Sequence, residues 1–360
     1  MKARDVTPAD YFEARRRFTE AAQVLNAWSQ AYPIAAVGPR GEPLTLDIAY
    51  LGPGQPRRLV IVSSATHGVE GYAGSAIQLA FLRRYGGAMR GGNTGLLLVH
   101  AINPYGYVYG RRTNEHNVDL NRNALERFPG PANPAYARLD AWLNPRSPPR
   151  RPDLFLTRGV WHVLRAGPAA VKQAVAGGQY EFPKGLFYGG NALADSTKRF
   201  TEIVSDGTFS GVEQVIYLDL HTGLGRHGTY KVLVDFAERS DPYRQLGKWF
   251  GRGVVQGNNP RRSVAYRITG SLGDVVARAF PKAQVYPTVL EFGAYPLMRM
   301  LRALRAENCA HFYAPADSAA NQRAKAQLRE VFFPGAGAWR TNVVAQGLRA
   351  IRQALAALQS

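Results

Sequence analysis

Two histidines and one glutamate have the residue types and the positions of a metal site. His67 and Glu70 lie three positions apart in "SSATHGVEGYAGSA", directly after an apolar run, and His221 follows another apolar run in "DLHTG". Because the carboxyl ends of parallel strands meet at one edge of a sheet, these three side chains can converge. Two histidines and a glutamate are the ligands of catalytic zinc, with a fourth position open for water. Taken alone, the H-x-x-E pair is equally well explained as a hydrogen-bonded turn.

A second glutamate and two arginines could supply other parts of a hydrolytic site. Glu291 lies in "VLEFG" at the end of a later strand. A carboxylate there could deprotonate a water beside the metal and give the proton to a leaving amine. Arg111 and Arg112 precede the segment "HNVDLNRN", and one of them could stabilise an oxyanion. The alternative for both arginines is a surface charge.

The segment "HNVDLNRN" contains three more candidate residues. Asp119 is a carboxylate that could orient a ligating imidazole. Asn121 and Arg122 offer an amide and a guanidinium that could hold a substrate carboxylate. The alternative is that this asparagine and arginine cap and brace a loop.

Three further residues with reactive side chains are predicted to be structural. His100 lies in an apolar strand and is expected to be a core residue with satisfied polar atoms. Asp219, beside His221, is predicted to point to the opposite face of its strand and to have a structural role. Cys309 lies on an amphipathic helix and is predicted to be buried and inert.

Apolar runs alternate with helical segments through most of the chain. Buried strands are predicted at "LTLDIAYLG", "RRLVIVSS", "TGLLLVHAI", "EQVIYLDL", "YKVLVDF" and "VYPTVLEF". Residues 71–85 have the spacing of apolar side chains that is typical of a helix. The alternation predicts an α/β fold with a mixed, largely parallel central sheet and helices on both faces.

The chain is predicted to form a single domain over residues 1–360. The part from about 129 to 195 is rich in proline, glycine and arginine, and we interpret it as an insertion around the core. A helical C-terminus is predicted at about 296–358.

An N-terminal helix is predicted at about 7–32. Thr7 and Asp10 have the spacing of a capping box, and Pro8 would occupy the first helical position. The helix is expected to end near Pro33.

The composition favours an ordinary cytoplasmic protein. The formal net charge is +19, but the arginines are scattered along the chain, which indicates a solvated basic surface and disfavours nucleic acid as the main partner. The single cysteine excludes an intramolecular disulfide and favours a reducing compartment. The chain has no run of about 20 apolar residues and no apolar start of signal-peptide length, so no membrane segment is expected.

Several motifs in a fixed order resemble those of a known family. "HGVE", "NPYGY", "RRTNEHNVDLNRN", "DLHTG" and "VLEFG" are similar to the zinc carboxypeptidases of the carboxypeptidase A type, most closely to a poorly characterised bacterial branch. The resemblance covers the core from about 45 to 300 and implies one Zn²⁺ per chain. It implies His67, Glu70 and His221 as zinc ligands, Glu291 as general base, Asn121 and Arg122 as the substrate-binding pair, Asp119 as partner of the first ligand, and Arg111 or Arg112 as oxyanion donor.

The resemblance also has implications for specificity. Gly273, in "GSLGD", matches the glycine-serine stretch that lines the family's specificity pocket, and Tyr266 is the candidate for its substrate-contacting tyrosine. The insertion at 129–195 and the long helical C-terminus depart from the family pattern. These departures bear on the identity of the substrate more than on metal binding.

Three hypotheses of function follow. The first is a zinc-dependent hydrolase that cleaves a peptide or amide bond next to a free carboxylate. The second is an N-acyl amino-acid deacylase of the aspartoacylase or succinylglutamate desuccinylase type, which would act on small acylated amino acids. The third is a basic protein that binds nucleic acid or another polyanion and retains a vestigial metal site.

Overall fold

The computed structural model describes residues 3–89, 92–149, 153–257 and 268–359. An eight-stranded sheet lies at its centre. The strands are β1 (Trp28–Val37), β2 (Pro43–Leu51), β3 (Arg58–Ser64), β4 (Thr94–His100), β5 (Gln214–Gly223), β6 (Tyr230–Leu233), β7 (Val255–Gln256) and β8 (Gln284–Gly293). Their order across the sheet is β1-β2-β4-β3-β5-β8-β6-β7.

The centre of the sheet is parallel and its flanks are mixed. The neighbours β4, β3, β5 and β8 run parallel. On one side β2 pairs antiparallel with β4, and β1 pairs antiparallel with β2. On the other side β6 is antiparallel to β8 and parallel to β7. The predicted α/β fold with a mixed, largely parallel sheet is confirmed.

Helices pack on the sheet and account for most of the remaining regular structure. They are α1 (Tyr11–Val24), α2 (Gly71–Tyr85), α3 (Pro104–Val108), α4 (Pro134–Ala137), α5 (Asp140–Leu143), α6 (Phe155–Ala166), α7 (Pro168–Ala176), α8 (Asp195–Val204), α9 (Asp241–Phe250), α10 (Leu272–Ala279), α11 (Leu297–Tyr313), α12 (Ala319–Phe332) and α13 (Gly337–Gln359). Helices α2 and α13 pack together and against β3, while α10 packs against β8 and α8. Among the described helices, none combines the length and apolar character needed to cross a bilayer.

The predicted N-terminal helix over about 7–32 is wrong at both ends. Helix α1 begins after Asp10, whose side chain accepts a hydrogen bond from the Glu13 N–H. It ends before Asn26, which has a φ of 50°. The chain then enters β1, which contains Pro33 and lies at the edge of the sheet. Because an edge strand has backbone N–H groups that need no partner strand, it tolerates proline, and Pro33 marks a strand where a helix end was expected.

The predicted insertion at about 129–195 contributes to a second apolar core. Side chains of α5, α6 and α7 pack there with side chains of α11 and α12.

Helix α6 also has an unusual outer surface, because most of the exposed large apolar side chains of the described residues lie on it or directly before it. These side chains are Leu154, Leu156, Val160, Trp161 and Leu164.

His100 is a core residue at the end of β4, as predicted, but the expectation that both of its ring nitrogens are satisfied is wrong. Its ring stacks on Phe18 with 4.9 Å between centroids, and its Nε2 lies 2.9 Å from the Ser75 hydroxyl. Among the described residues, no hydrogen-bond partner reaches its Nδ1. Burial, with the positive charge of Arg15, lowers the pKa of His100 to about 3.

Acid should therefore destabilise the protein through His100. In the unfolded chain this imidazole takes up a proton near pH 6.5, whereas in the folded protein it stays neutral down to about pH 3. Its contribution to stability is complete above pH 6.5 and is lost as the pH falls toward 3. Between pH 7 and 4.5, wild type should lose about 2.5 kcal/mol more unfolding free energy than His100→Phe. Urea unfolding at both pH values measures this difference, and equal losses in the two proteins would contradict it.

Candidate metal centre

The three predicted ligands converge at the carboxyl end of the parallel strands. His67 and Glu70 follow β3, and His221 lies near the end of β5, beside β3. His67 Nδ1 lies 2.8 Å from Glu70 Oε1 and 3.1 Å from His221 Nδ1, and His221 Nδ1 lies 3.2 Å from Glu70 Oε2. All three side chains are buried, and one ligand atom from each falls within 4.8 Å of the others.

The outer nitrogen of each imidazole meets a carboxylate. His67 Nε2 lies 3.1 Å from Asp119 Oδ1, and His221 Nε2 lies 2.6 Å from Asp219 Oδ2. An imidazole that donates its Nε2 hydrogen keeps a lone pair on Nδ1. Two such lone pairs then face each other beside the Glu70 carboxylate, and they would repel unless a proton or a metal ion lay between them. The donor set therefore fits a divalent metal, with both imidazoles oriented by carboxylates.

The position of Asp219 corrects the sequence prediction. Residues two apart on a strand share a face, so Asp219 lies on the same face as His221 and contacts it. Its other oxygen, Oδ1, accepts hydrogen bonds from Ser63 Oγ at 2.6 Å and Thr66 Oγ1 at 2.8 Å. The D-x-H spacing in "DLHTG" was the signal that could have identified it.

Charge pairing sets the protonation of this cluster. Burial alone would raise the pKa of Asp119, but Arg112 and His67 hold it well below its usual range. Burial likewise opposes the charge on His221, yet Asp219 raises the pKa of His221 well above its usual value. Burial would raise the pKa of Glu70, but the two histidines lower it. The carboxylates are thus held ionised and ready to accept a cation.

Glu291 lies next to the ligands without joining them. In the parallel pair of β5 and β8 it is directly opposite His221, and its Oε1 accepts a hydrogen bond from the Leu224 N–H at 2.7 Å. Burial, with the negative charge of Glu70, raises the pKa of Glu291 to about 8. This places a carboxyl group of perturbed pKa beside the metal ligands, which is the position a general base needs.

Of the two arginines, Arg112 is the one at this site. Its Nε and Nη2 donate to Asp119 Oδ2 at 3.2 and 3.1 Å, and its Nη1 lies 3.4 Å from Glu70 Oε1. Arg111 points elsewhere, because its Nε donates to Glu307 at 3.0 Å and its Nη2 donates to Asn117 at 3.0 Å. Arg111 is therefore in no position to act as the oxyanion donor.

The two residues of the predicted substrate-binding pair, Asn121 and Arg122, lie in different surroundings. Asn121 lines the cavity described below, and its Oδ1 accepts a hydrogen bond from the Leu272 N–H at 3.2 Å. Arg122 is fully buried, its Nη1 donates to the Asn121 carbonyl at 2.7 Å, and it does not line that cavity. Direct binding of a substrate carboxylate by Arg122 stays a prediction. The positive charge of Arg122 helps to lower the pKa of Asp119.

A cavity of about 420 Å³ opens at the candidate metal ligands. His67, Glu70, His221 and Glu291 line it, as does Gly273. A Cβ atom at that glycine would come within 2.9 Å of Pro287, so a larger residue would narrow the cavity. The predicted Tyr266 lies outside the described residues.

Asp219→Asn should weaken metal binding. The oxygen of the new amide would stay with the two hydroxyl donors, so the amide NH₂ would face His221 Nε2 and force the imidazole proton onto Nδ1, the ligating atom. We expect metal affinity to fall by about 10- to 100-fold, measured by competition with a chromogenic chelator. The exposed Asp317→Asn is the matched control and should leave metal affinity unchanged. An unchanged affinity in Asp219→Asn would contradict the assigned role of this carboxylate.

Comparison with solved structures identifies the fold. Thrombin activatable fibrinolysis inhibitor superposes with a TM-score of 0.53 at 10% identity, covering 97% of this chain and 74% of that one. Carboxypeptidase A from Helicoverpa armigera gives 0.48 at 13% identity, with 89% and 73% covered. A putative metallopeptidase from Shewanella amazonensis SB2B gives 0.44 at 14% identity, with 90% and 94% covered. The zinc carboxypeptidase-like fold that the motifs predicted is confirmed by the first of these superpositions.

Comparison by sequence identifies the family. No curated protein matches the chain. A family model described as "Protein of unknown function (DUF2817)" matches residues 8–346, which is nearly the whole chain. The chain, with its zinc carboxypeptidase-like fold, therefore belongs to the DUF2817 family.

Proposed function

We propose that this protein is a zinc-dependent hydrolase that cleaves a peptide or amide bond next to a free carboxylate. The observation that carries the proposal is the convergence of His67, Glu70 and His221 with Glu291 beside them on one cavity wall. Two imidazoles and one carboxylate leave a coordination position open, as catalytic zinc requires. When bound, the metal would polarise the substrate carbonyl and lower the pKa of water.

Glu291 moves the proton in this proposal. Its carboxylate accepts a proton from the attacking water, whose oxygen forms the new bond to the carbonyl carbon. The same proton passes to the amine nitrogen as the C–N bond breaks, so the products are a carboxylic acid and an amine. Burial, with the negative charge of Glu70, raises the pKa of Glu291 to about 8; a cation at the ligands would counter the charge of Glu70 and so favour the carboxylate form.

Arg112 and Asn121 position the substrate. Arg112 lines the cavity next to Glu70, where its guanidinium can stabilise negative charge that develops on the carbonyl oxygen. Asn121 has its Oδ1 engaged by the Leu272 N–H, so its NH₂ is the part that can donate to the substrate carboxylate. Arg122 supports Asn121 by donating to its carbonyl, and its charge helps to keep Asp119 ionised.

The proposal is tested by metal analysis followed by a hydrolysis screen. We expect one zinc per chain and hydrolysis of peptides or N-acyl amino acids that a chelator abolishes and zinc restores. Peptides with a free C-terminus and N-acyl amino acids form the two arms of the screen, and the arm that is turned over separates a carboxypeptidase from a deacylase. Salt-sensitive binding to DNA without chelator-sensitive hydrolysis would contradict the proposal and favour the polyanion-binding hypothesis.

A further inference from the structure

The cavity at the metal ligands extends under the insertion. Helices α6 and α7, here called the insertion helices, line its far part together with α11. The side chains that they and α5 contribute are apolar except for Lys172. They include Trp142, Val163, Val171, Val175, Leu301 and Leu304. This part of the cavity therefore favours an apolar group over a polar one.

The backbone of the insertion helices has little capacity to form hydrogen bonds with a peptide substrate. Backbone N–H and C=O groups inside a helix bond to each other, so they cannot pair with an extended peptide as a strand edge would. A peptide bond placed there would lose its hydration without gaining hydrogen bonds, which is costly. An aliphatic chain has no such groups to satisfy.

Helix α6 packs closely against Trp142 at this part of the cavity. Trp142 stacks on Phe155 with 4.9 Å between ring centroids and 9° between planes, and its Nε1 donates to the Phe155 carbonyl at 2.9 Å. A Cβ at Gly159 would come within 2.9 Å of the Trp142 ring, so α6 lies close against it. Met298, which also lines the cavity, is flexible enough to adapt to a bound chain. An apolar space with an adaptable side chain suits an aliphatic group.

We infer that the substrate is an N-acyl amino acid whose acyl group is a medium or long aliphatic chain held beneath α6 and α7. This inference rests on the proposed hydrolase function and specifies the group on the acyl side of the scissile amide. The amino-acid part then occupies the region of Asn121 and Gly273, and the amide carbonyl lies at His67, Glu70 and His221.

A series of acyl chain lengths tests the inference. N-acetyl-, N-octanoyl- and N-dodecanoyl-phenylalanine are compared as substrates of the zinc-loaded protein, and we expect kcat/KM to rise at least about 100-fold from acetyl to octanoyl. Binding of the same compounds to zinc-loaded Glu291→Gln is measured by calorimetry, so that the result does not depend on turnover. The dodecanoyl compound should bind at least about 100-fold more tightly than the acetyl compound.

Variants of the insertion helices test the location of the acyl group. Val171→Trp places a larger side chain in the cavity and should lower the octanoyl-to-acetyl ratio of kcat/KM at least about tenfold. Ala170→Trp introduces the same side chain at the exposed neighbouring position and should keep the wild-type ratio. Val163→Phe is the second variant in case Val171→Trp does not fold, because Val163 is only partly buried and tolerates a larger side chain more easily.

The outcomes separate this inference from the proposed function. Affinity and kcat/KM that do not change with chain length would overturn the inference, even if zinc-dependent hydrolysis of the acetyl compound is observed. A chain-length dependence that Val171→Trp and Val163→Phe leave intact would overturn the location beneath the insertion helices. Tight binding of the dodecanoyl compound without turnover of any compound or peptide would overturn the hydrolase function instead.

Discussion

Glu291→Gln is expected to lower kcat by about 10²- to 10⁴-fold while the protein keeps its full complement of zinc. The carboxylate lies opposite His221 on the neighbouring strand and lines the cavity, but it is not one of the three converging ligands. An amide can accept the hydrogen bond from the Leu224 N–H as the carboxylate does, so the fold should be preserved. What the variant loses is a group that can take a proton from water and return it to the amine.

The measurement pairs steady-state kinetics with elemental analysis of the same preparation. The matched control is Glu213→Gln, a change at an exposed glutamate directly before β5 and at the other end of that strand from His221, which should alter neither quantity. Wild-type kcat in Glu291→Gln would remove the general-base assignment. Loss of zinc together with activity would mean that Glu291 is a ligand.

His221→Ala is expected to abolish stoichiometric zinc binding and to lower activity by more than about 10³-fold, since two protein ligands cannot hold the ion in a catalytic geometry. The variant should also be less stable. Asp219 is fully buried and would lose its His221 partner, although the hydroxyls of Ser63 and Thr66 would still donate to it. Thermal unfolding should therefore occur at a lower temperature even when wild type and variant are both compared without zinc.

Zinc content, activity and thermal unfolding measured on three proteins test this prediction. Chelated wild type should regain activity when zinc is added back, whereas His221→Ala should not. His116→Ala, a change at an exposed histidine in a nearby motif, is the control and should behave as wild type. Full zinc occupancy in His221→Ala would contradict the site.

The parts of the site that sequence predicts well are those that depend on strand ends. His67, Glu70, His221 and Glu291 each follow or end an apolar run, and the parallel alignment of these runs brings them together without any knowledge of packing. The central strands were equally predictable, because buried parallel strands are apolar along nearly their whole length.

The direction of individual side chains was harder to predict. Arg111 and Arg112 are adjacent in a non-helical segment, and only the packing of Glu307 and Asp119 around them decides which faces the metal ligands. Arg122 occupies the position of the substrate-binding arginine in the family motif, yet it is buried behind Asn121 in the structure. Its position depends on contacts with distant parts of the chain that the sequence does not reveal.

The elements predicted least well owe their form to their neighbours. Strand β7 has two residues and exists because it pairs with β6. Strand β1 has an exposed outer surface and a proline, and pairing with β2 defines it more than its own pattern does. The contribution of α6 and α7 to the cavity was also beyond prediction, since it depends on how the insertion packs on α11.

The exposed apolar side chains of α6 affect how the protein self-associates in concentrated solution. With a net charge of +19, copies of the chain repel one another at low ionic strength and remain dispersed. Added salt screens that repulsion within about 10 Å at 0.1 M, while the apolar side chains around Trp161 and Leu164 keep their affinity for one another. Raising the salt concentration during purification is therefore expected to drive self-association of this protein and not to prevent it.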